Sequence, residues 1–219
     1  MSPNGLGAET SLPLSLPFSP AADRNKHPIL QLLQTVLPAQ GNALEIASGT
    51  GQHAAWFASH LPGWTWQPTD ATADSLPSIE GYAAQLGAHN VLAPCVLDVL
   101  QQPWLSDSYS DSASEARFNA IYCANMLHIS PWATTAALMQ GSARHLAPGG
   151  VLITYGPYLE DGIPTAEGNL AFDASLRTQN PAWGIRRIED VAHVAAQAGL
   201  PLRQRHALPA NNLLLVWQA

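Results

Sequence analysis

The stretch that decides the fold is Leu44-Glu45-Ile46-Ala47-Ser48-Gly49-Thr50-Gly51-Gln52-His53. The apolar run over residues 43–47 predicts a short buried strand, and the pattern over 52–60 predicts a helix. The glycines between them permit a tight turn and let a ligand approach the backbone closely. A strand, a glycine loop and a helix in this order indicate a nucleotide site at the end of the strand.

The same alternation of strand and helix continues along the chain. Further strands are predicted at residues 64–67, 91–97, 118–123 and 151–155, and helices at 28–37, 75–86, 130–145 and 188–198. Strands separated by helices predict an α/β fold with a parallel sheet. The last two predicted strands, 202–207 and 213–217, have no helix between them, so we expect antiparallel neighbours, with one inserted beside the other.

Domain organisation follows from length and local composition. The 219 residues favour a single domain, which we place at 23–219 behind a flexible N-terminal arm of residues 1–22. Pro28 suits the first turn of the first predicted helix. Residues 156–187 are rich in aromatic residues, Gly and Pro and are too long for an ordinary connection, so we predict a lid or substrate loop there.

Composition excludes several classes of partner. Nine basic and sixteen acidic residues give a net charge of −7, which argues against a nucleic-acid or polybasic membrane-surface protein. The sequence holds no apolar run of the ~18–20 residues that a membrane span needs. Cys95 and Cys123 are isolated free thiols without zinc-ligand spacing. We therefore predict a cytoplasmic protein with a small-molecule partner and no metal, and the composition leaves open whether it is a monomer or a homodimer.

Two nucleotide interpretations of the glycine loop compete. The spacing Gly49-x-Gly51-x-x-Ala54 matches the dinucleotide fingerprint, which would indicate an NAD(P)-dependent oxidoreductase. Glu45, four residues before Gly49, instead suits S-adenosylmethionine, which carries an ammonium and a sulfonium and no phosphate. A carboxylate at the base of the loop is unfavourable for a pyrophosphate, and the net charge favours the same interpretation. Asp70, about 20 residues on, is placed to accept hydrogen bonds from ribose hydroxyls.

The region 43–155 resembles the class I S-adenosylmethionine-dependent methyltransferases. The resemblance lies in the glycine loop, in Phe118-Asn119-Ala120-Ile121-Tyr122-Cys123-Ala124-Asn125-Met126-Leu127-His128 and in Leu146-Ala147-Pro148-Gly149-Gly150-Val151-Leu152. It implies a Rossmann-like α/β fold with a seven-stranded, mostly parallel sheet, an antiparallel C-terminal hairpin and helices on both faces. It also implies S-adenosyl-L-methionine as cofactor. Many of these enzymes have glycine at the position of Ala47. The larger side chain of alanine leaves slightly less space in the loop.

A narrower resemblance covers almost the whole chain. The segments 19–26, 47–53, 125–132, 155–158, 180–186 and 209–213 are similar to the family of methyltransferase-like protein 26. The substrate of that family is not established. The resemblance therefore implies S-adenosylmethionine-dependent methyl transfer to a small molecule without naming the acceptor, and a non-catalytic S-adenosylmethionine-binding protein is the remaining alternative.

The predicted cofactor residues surround the ends of the first four strands. The loop backbone is assigned to the ribose and methionine part, Asp70 to the ribose hydroxyls, Asp98 with Val99 to the adenine, and Ala124 with Asn125 to the methionine moiety. Glu45 is expected to act through a water molecule or through loop hydrogen bonds. The full set is Arg24, Asn25, Glu45, Ala47, Ser48, Gly49, Thr50, Gly51, His53, Asp70, Asp98, Val99, Ala124 and Asn125.

The acceptor side has a second set of candidates. His128 and Tyr155 follow strand ends and are the predicted catalytic residues, with His128 as proton acceptor. A histidine that merely packs near the next helix is the competing interpretation. We expect the Arg24–Lys26 segment to fold over the cofactor and to bind its carboxylate or an anionic substrate. The predicted substrate-binding residues are Lys26, Tyr158, Asn180, Trp183 and Arg186.

Overall fold

The computed structural model describes residues 15–105 and 117–218. The strands are β1 (Gly41–Ile46), β2 (Trp64–Asp70), β3 (Cys95–Val96), β4 (Phe118–Ala124), β5 (Leu146–Leu159), β6 (Arg186–Arg187), β7 (Leu202–Leu208) and β8 (Asn212–Trp217). The helices are α1 (Pro20–Val36), α2 (Gln52–His60), α3 (Leu76–Gln85), α4 (Trp132–His145), α5 (Glu167–Gln179) and α6 (Ile188–Gln197). All the strands belong to one mixed sheet.

The sheet has the order β3-β2-β1-β4-β5-β8-β7, and the short β6 pairs with β5 off this path. Pairing is parallel except at β8, which is antiparallel to both β5 and β7. The predicted α/β class, the mostly parallel sheet and the antiparallel C-terminal hairpin are therefore confirmed, with β8 inserted between β5 and β7. The eighth strand, β6, is only two residues long and has no sequence period of its own.

Apolar side chains on both faces of the sheet explain why the central strands β4 and β8 are nearly continuous apolar runs. Along β1, Leu44 and Ile46 join the core cluster that includes Leu138 of α4 and Val191 of α6. Ala43 lies on the opposite face, in a second cluster with residues of α1 and α2. The two clusters place helices on both sides of the sheet and leave its carboxyl-end edge free for a site.

The first helix begins earlier than predicted. Ser19 is its N-cap, and the Ser19 side chain accepts a hydrogen bond from the Ala22 N–H, with Pro20 in the first turn. Residues 20–22 therefore belong to α1 and not to an arm, and Pro28 lies inside the helix instead of at its start. Residues 1–14 of the predicted arm lie outside the described residues.

The segment 156–187 is not a single long loop. β5 continues to Leu159, and α5 and β6 occupy much of the remainder. Only Leu176 of α5 is buried, so the helix lacks the apolar stripe that would have predicted it. The lid role assigned to this segment stays a prediction. Within the described ranges, each helix is too short or too polar to cross a bilayer.

Candidate functional site

A cavity of about 380 Å³ opens at the carboxyl ends of β1, β2 and β4. This is the edge where open α/β sheets bind ligands. It brings together nine of the predicted cofactor residues: Glu45, Ala47, Ser48, Gly49, Thr50, His53, Asp70, Ala124 and Asn125. Four further lining residues were missed by sequence reasoning, although they lie within the family-like segments 19–26 and 125–132: Ser19, Ala22, Met126 and Ile129.

The glycine loop is held in one conformation by contacts on both sides. Asp70 Oδ2 accepts a hydrogen bond from the Gly49 N–H at 2.8 Å, and the Thr69 carbonyl accepts one from the Ser48 N–H at 2.8 Å. Gly51 has a φ of 86°, and a Cβ atom there would lie 2.5 Å from the Ile79 Cα. The loop therefore needs glycine at position 51 both for its backbone conformation and for the close approach of α3.

The backbone donors of this loop are largely used within the protein. The N–H groups of Ser48, Gly49 and Gly51 are bonded to the Thr69 carbonyl, the Asp70 carboxylate and the Ser48 carbonyl. Dinucleotide sites rely on such groups to bind the pyrophosphate. Three loop donors are thus already satisfied, and a carboxylate stands beside them, which disfavours a phosphate ligand.

Glu45 is a buried acid in the cavity wall, with 2% of its surface exposed. Its Oε2 accepts a hydrogen bond from the indole N–H of Trp66 at 2.5 Å. Burial raises the pKa of Glu45 to about 8, the Trp66 hydrogen bond opposes that rise, and the nearby Asp70 adds to it. Without a ligand Glu45 is therefore mostly protonated near neutral pH, and a cation in the cavity would favour its ionised form.

Glu45 is expected to make the stability of the protein depend on pH. The native state keeps a proton that the unfolded chain loses, because the pKa is 4.5 unfolded and about 8 folded. Stability therefore falls as the pH rises through that window and then levels off, by roughly 5 kcal/mol in total. Glu45→Gln removes the dependence, because the amide oxygen still accepts from Trp66 and carries no charge.

The measurement is urea unfolding at pH 4.5 and at pH 8, the two ends of the window. Relative to the wild type, Glu45→Gln should be distinctly more stable at the higher pH, whereas the exposed control Glu80→Gln should show no such gap. Equal differences for Glu45→Gln at both pH values would contradict this description of Glu45.

Among the described residues, the lining of the cavity carries acids and no lysine or arginine. Glu45 and Asp70 are the two carboxyl groups. His53 is neutral at physiological pH, because burial lowers its pKa to about 4, with a further lowering by Lys26 against a rise from the Ala22 backbone. A ligand with positive charge and no phosphate is therefore the best electrostatic match.

The N-terminal end of α1 forms part of the cavity wall. The Ser19 N–H donates to Gln52 Oε1 at 2.5 Å, and Asn25 Oδ1 lies 2.6 Å from His53 Nε2. Before the helix, the Pro17 carbonyl accepts a hydrogen bond from the Tyr82 hydroxyl at 3.0 Å. The segment thus crosses from α3 over the start of α2, and the expectation that Arg24–Lys26 folds over a cofactor stays a prediction.

Two lining residues other than glycine adopt the left-handed backbone conformation. Ala47 and Asn125 both have a φ of 57°. This conformation costs an L residue roughly 1–2 kcal/mol, and such strain is concentrated at functional sites. The Asn125 N–H is fixed by the Tyr155 carbonyl at 2.8 Å, so the strained turn after β4 is held to β5.

The other five cofactor candidates lie outside the lining, among them Gly51 at the start of α2. Arg24 is exposed at the end of α1, and Asn25 is buried and holds His53. Asp98 Oδ1 accepts a hydrogen bond from the Leu100 N–H at 3.0 Å, so that oxygen shapes a turn. Val99 is 3% exposed and packs in the core, which contradicts a direct side-chain contact with an adenine.

The two predicted catalytic residues are buried close to the cavity. The rings of His128 and Phe172 make an edge-to-face contact, with 5.4 Å between their centroids. Gly156 lies against both His128 and Asn125, since a Cβ atom placed on Gly156 would be 3.5 Å from His128 Nδ1 and 3.6 Å from Asn125 Oδ1. Burial, and then Arg186, lower the pKa of His128 to about 4, so its ring is neutral. Burial raises the pKa of Tyr155, and the nearby Asn25 and Asn212 side chains oppose that rise.

The predicted substrate-binding residues are mostly engaged elsewhere. Tyr158 is 7% exposed and donates its hydroxyl to Thr154 Oγ1 at 2.8 Å, so it is a core residue and not an acceptor wall. Lys26 pairs with Asp23 and lies 4.7 Å from the Trp56 ring centre. Asn180 Oδ1 accepts from the Ala182 N–H at 3.0 Å within a turn that includes the backbone of Trp183. Arg186 donates from its Nε and one terminal nitrogen to backbone carbonyls, so these two groups are already used within the protein.

Solved structures with similar folds are methyltransferases. An O-methyltransferase family 2 protein from Planctomyces limnophilus, in complex with apigenin, matches with a TM-score of 0.74 and 17% identity over 91% of this chain and 60% of its own. A putative O-methyltransferase from Nostoc punctiforme matches with a TM-score of 0.74 and 18% identity over 90% of this chain and 56% of its own. Human N-acetylserotonin methyltransferase, in complex with SAM, matches with a TM-score of 0.68 and 15% identity over 90% of this chain and 52% of its own.

These similarities establish the fold. The chain has the Rossmann-like fold of the methyltransferases, and it spans between about half and three fifths of the length of these three structures. At family level, residues 16–219 match the model described as "Protein of unknown function (DUF938)". That match covers nearly the whole sequence, and the chain therefore belongs to the DUF938 family.

Proposed function

We propose that the protein transfers a methyl group from S-adenosylmethionine to a small-molecule acceptor. The observation that carries this proposal is the cavity at the glycine loop, whose lining, in the part of the chain that the structure describes, holds Glu45 and Asp70 and no lysine or arginine. S-adenosylmethionine brings an ammonium, a sulfonium and no phosphate, so it suits these groups. An NAD(P)-dependent oxidoreductase is disfavoured, because the Gly49 N–H already donates to the Asp70 carboxylate and the Gly51 N–H to the Ser48 carbonyl. These loop N–H groups are therefore not available to bind a pyrophosphate.

Each part of the cofactor has a set of residues that would hold it. Asp70 would accept hydrogen bonds from the ribose hydroxyls, because its carboxylate can accept further bonds besides the one from the Gly49 N–H. Ala124 and Asn125 lie by the methionine moiety, and Arg24 at the end of α1 is assigned to its carboxylate. The other carboxylate oxygen of Asp98, Oδ2, is proposed to accept a hydrogen bond from the adenine amino group. The bound sulfonium supplies an already activated methyl group, so the protein's main tasks are alignment and exclusion of water.

His128 is proposed as the group that takes a proton from the acceptor. Its neutral ring can accept a proton, and it lies beside the wall that Asn125 and Ile129 form. Tyr155 is proposed as a second polar contact at the same side, near the side chains of Asn25 and Asn212. Exclusion of water falls to the α1 segment, whose Ser19 and Ala22 line the cavity.

The charge of the protein and its structural neighbours both favour a small-molecule acceptor. The net charge of −7 disfavours a nucleic acid, and one structural neighbour was solved with apigenin, a small molecule. The sequence resemblance to the family of methyltransferase-like protein 26 and a cytoplasmic location are part of the same proposal. A protein that binds S-adenosylmethionine without transferring its methyl group remains the second candidate, because these enzymes share no universal catalytic residue.

The proposal is tested by incubating the purified protein with S-adenosylmethionine labelled in its methyl group and with a small-molecule extract. We expect label in a small molecule and release of S-adenosylhomocysteine. His128→Asn should slow the transfer by roughly 10²–10⁴-fold, the usual contribution of a general base, while exposed His89→Asn stays at the wild-type rate. Binding of the cofactor without any transfer would overturn the enzymatic proposal and leave the binding-protein alternative.

A further inference from the structure

A short helical turn, Leu127–Ile129, carries His128 between β4 and α4. Its inner side adjoins the cavity through Met126 and Ile129. A separate groove of about 520 Å³ is lined in part by Trp132, Arg177 and Arg186. The conformation of this turn therefore decides where the His128 ring lies relative to the cavity.

The backbone carbonyls of this turn are bonded to a segment almost sixty residues later in the chain. The Arg186 Nε–H donates to the Leu127 carbonyl at 3.0 Å, and one terminal nitrogen of Arg186 donates to the Ser130 carbonyl at 2.5 Å. The His128 carbonyl itself accepts from the Gly184 N–H at 3.0 Å. Three carbonyls over four residues are thus fixed by two residues of the β6 region.

Arg186 is in turn fixed by its surroundings. Its Cζ lies 5.7 Å from the centre of the Trp132 ring, and the nitrogen that bonds to Ser130 also donates to the Ala182 carbonyl at 3.0 Å. The backbone of β6 pairs with the end of β5, which anchors the side chain to the sheet. The planar guanidinium of Arg186 directs its N–H donors at these carbonyls in a fixed fork-shaped geometry, which the ammonium group of a lysine does not reproduce.

We propose that Arg186 is a positioning residue, which clamps the turn Leu127–Ile129 and so holds the His128 ring at the acceptor side of the cavity. The importance of this clamp for catalysis rests on the proposed methyl transfer. The clamp itself does not, because it is a set of contacts within the protein.

The charge of Arg186 also acts on His128. Burial and the Arg186 charge both lower the pKa of His128, and the other charged groups that act on Arg186 are Arg177 and Asp173 of α5. Asp173 pairs with Arg177 at 2.8 Å, and its other oxygen accepts from the Ile185 N–H at 2.6 Å. Removing the Arg186 charge should therefore raise the pKa of His128. Loss of packing would raise it as well, so a variant that keeps the charge is needed to separate the two causes.

The test uses the ligand-free protein and NMR of ring-labelled histidines. Arg186→Gln should raise the pKa of His128 and should speed hydrogen exchange at the Gly184 amide. Arg186→Lys keeps the charge without the fork, so it should leave the pKa nearly unchanged and still speed the exchange. The matched control is Arg187→Gln, since the neighbouring Arg187 is exposed and pairs with Asp161 and Asp190, and it should change neither quantity.

Activity and cofactor affinity separate this proposal from the proposed function. Arg186→Gln should lower the rate of methyl transfer on the order of 100-fold, the usual effect of misplacing a reacting group, with S-adenosylmethionine affinity unchanged. Unchanged exchange at Gly184 in both Arg186 variants would overturn the clamp. Altered exchange and pKa in a protein whose wild type transfers no methyl group would support the clamp and contradict the proposed function.

Discussion

Gly51→Ala is expected to destabilise the protein by about 3–5 kcal/mol, whereas Gly49→Ala should cost only about 1–2 kcal/mol. Both glycines have positive φ angles, 86° at Gly51 and 56° at Gly49, so a side chain is strained at either position. A Cβ atom at Gly51 would lie 2.5 Å from the Ile79 Cα, but one at Gly49 would meet nothing within 4 Å. The difference between the variants therefore measures the close approach of α3 to the loop.

Urea unfolding of the two variants beside the wild type measures both costs. Since a backbone atom cannot move aside as a flexible side chain can, we also expect Gly51→Ala to lose cofactor binding when it still folds. Equal destabilisation by the two substitutions would show that the contact between the loop and α3 does not constrain the loop.

Asp70→Asn is expected to weaken S-adenosylmethionine binding by about 100-fold, which corresponds to roughly 2.7 kcal/mol. The amide oxygen that replaces one carboxylate oxygen can still accept from the Gly49 N–H, so the loop should keep its shape. What is lost is the charge and the second acceptor for the ribose hydroxyls. Asp74→Asn, at an exposed acid in the turn Ala73–Ser75, is the matched control and should bind as the wild type does.

Isothermal titration of the three proteins measures this effect, and circular dichroism checks that each variant is folded. An Asp70→Asn variant that binds S-adenosylmethionine with wild-type affinity would remove the ribose role from Asp70. In that case Asp70 would stabilise the turn of the glycine loop without binding the cofactor.

The parts of the fold that were predicted are those encoded locally. The limits of α2, Gln52–His60, coincide with the predicted ones, because Gly51 fixes the start of the helix and the Leu61-Pro62-Gly63 run follows its end. Asp70 was found from its place after the second strand. In contrast, α5 was missed, since only Leu176 is buried and the helix therefore shows no apolar period.

The misassigned site residues depend on partners far along the chain. Arg186 was expected to contact the acceptor, but its guanidinium bonds to carbonyls 56 and 59 residues away. Tyr158 was expected to line a pocket, but it packs in the core because β5 runs further than its apolar pattern indicated. A single sequence shows which residue types follow a strand, yet it does not show which of their donors are already used.

Calorimetric titration of the wild type with S-adenosylmethionine, S-adenosylhomocysteine and NAD is the most direct test of the central claim. The acidic lining and the internally bonded loop predict that both sulfur nucleotides bind and that NAD does not. Because Glu45 carries a proton in the ligand-free protein, the binding enthalpy of S-adenosylmethionine near neutral pH should also depend on the buffer's ionisation enthalpy. Binding of NAD but of neither sulfur nucleotide would contradict the claim.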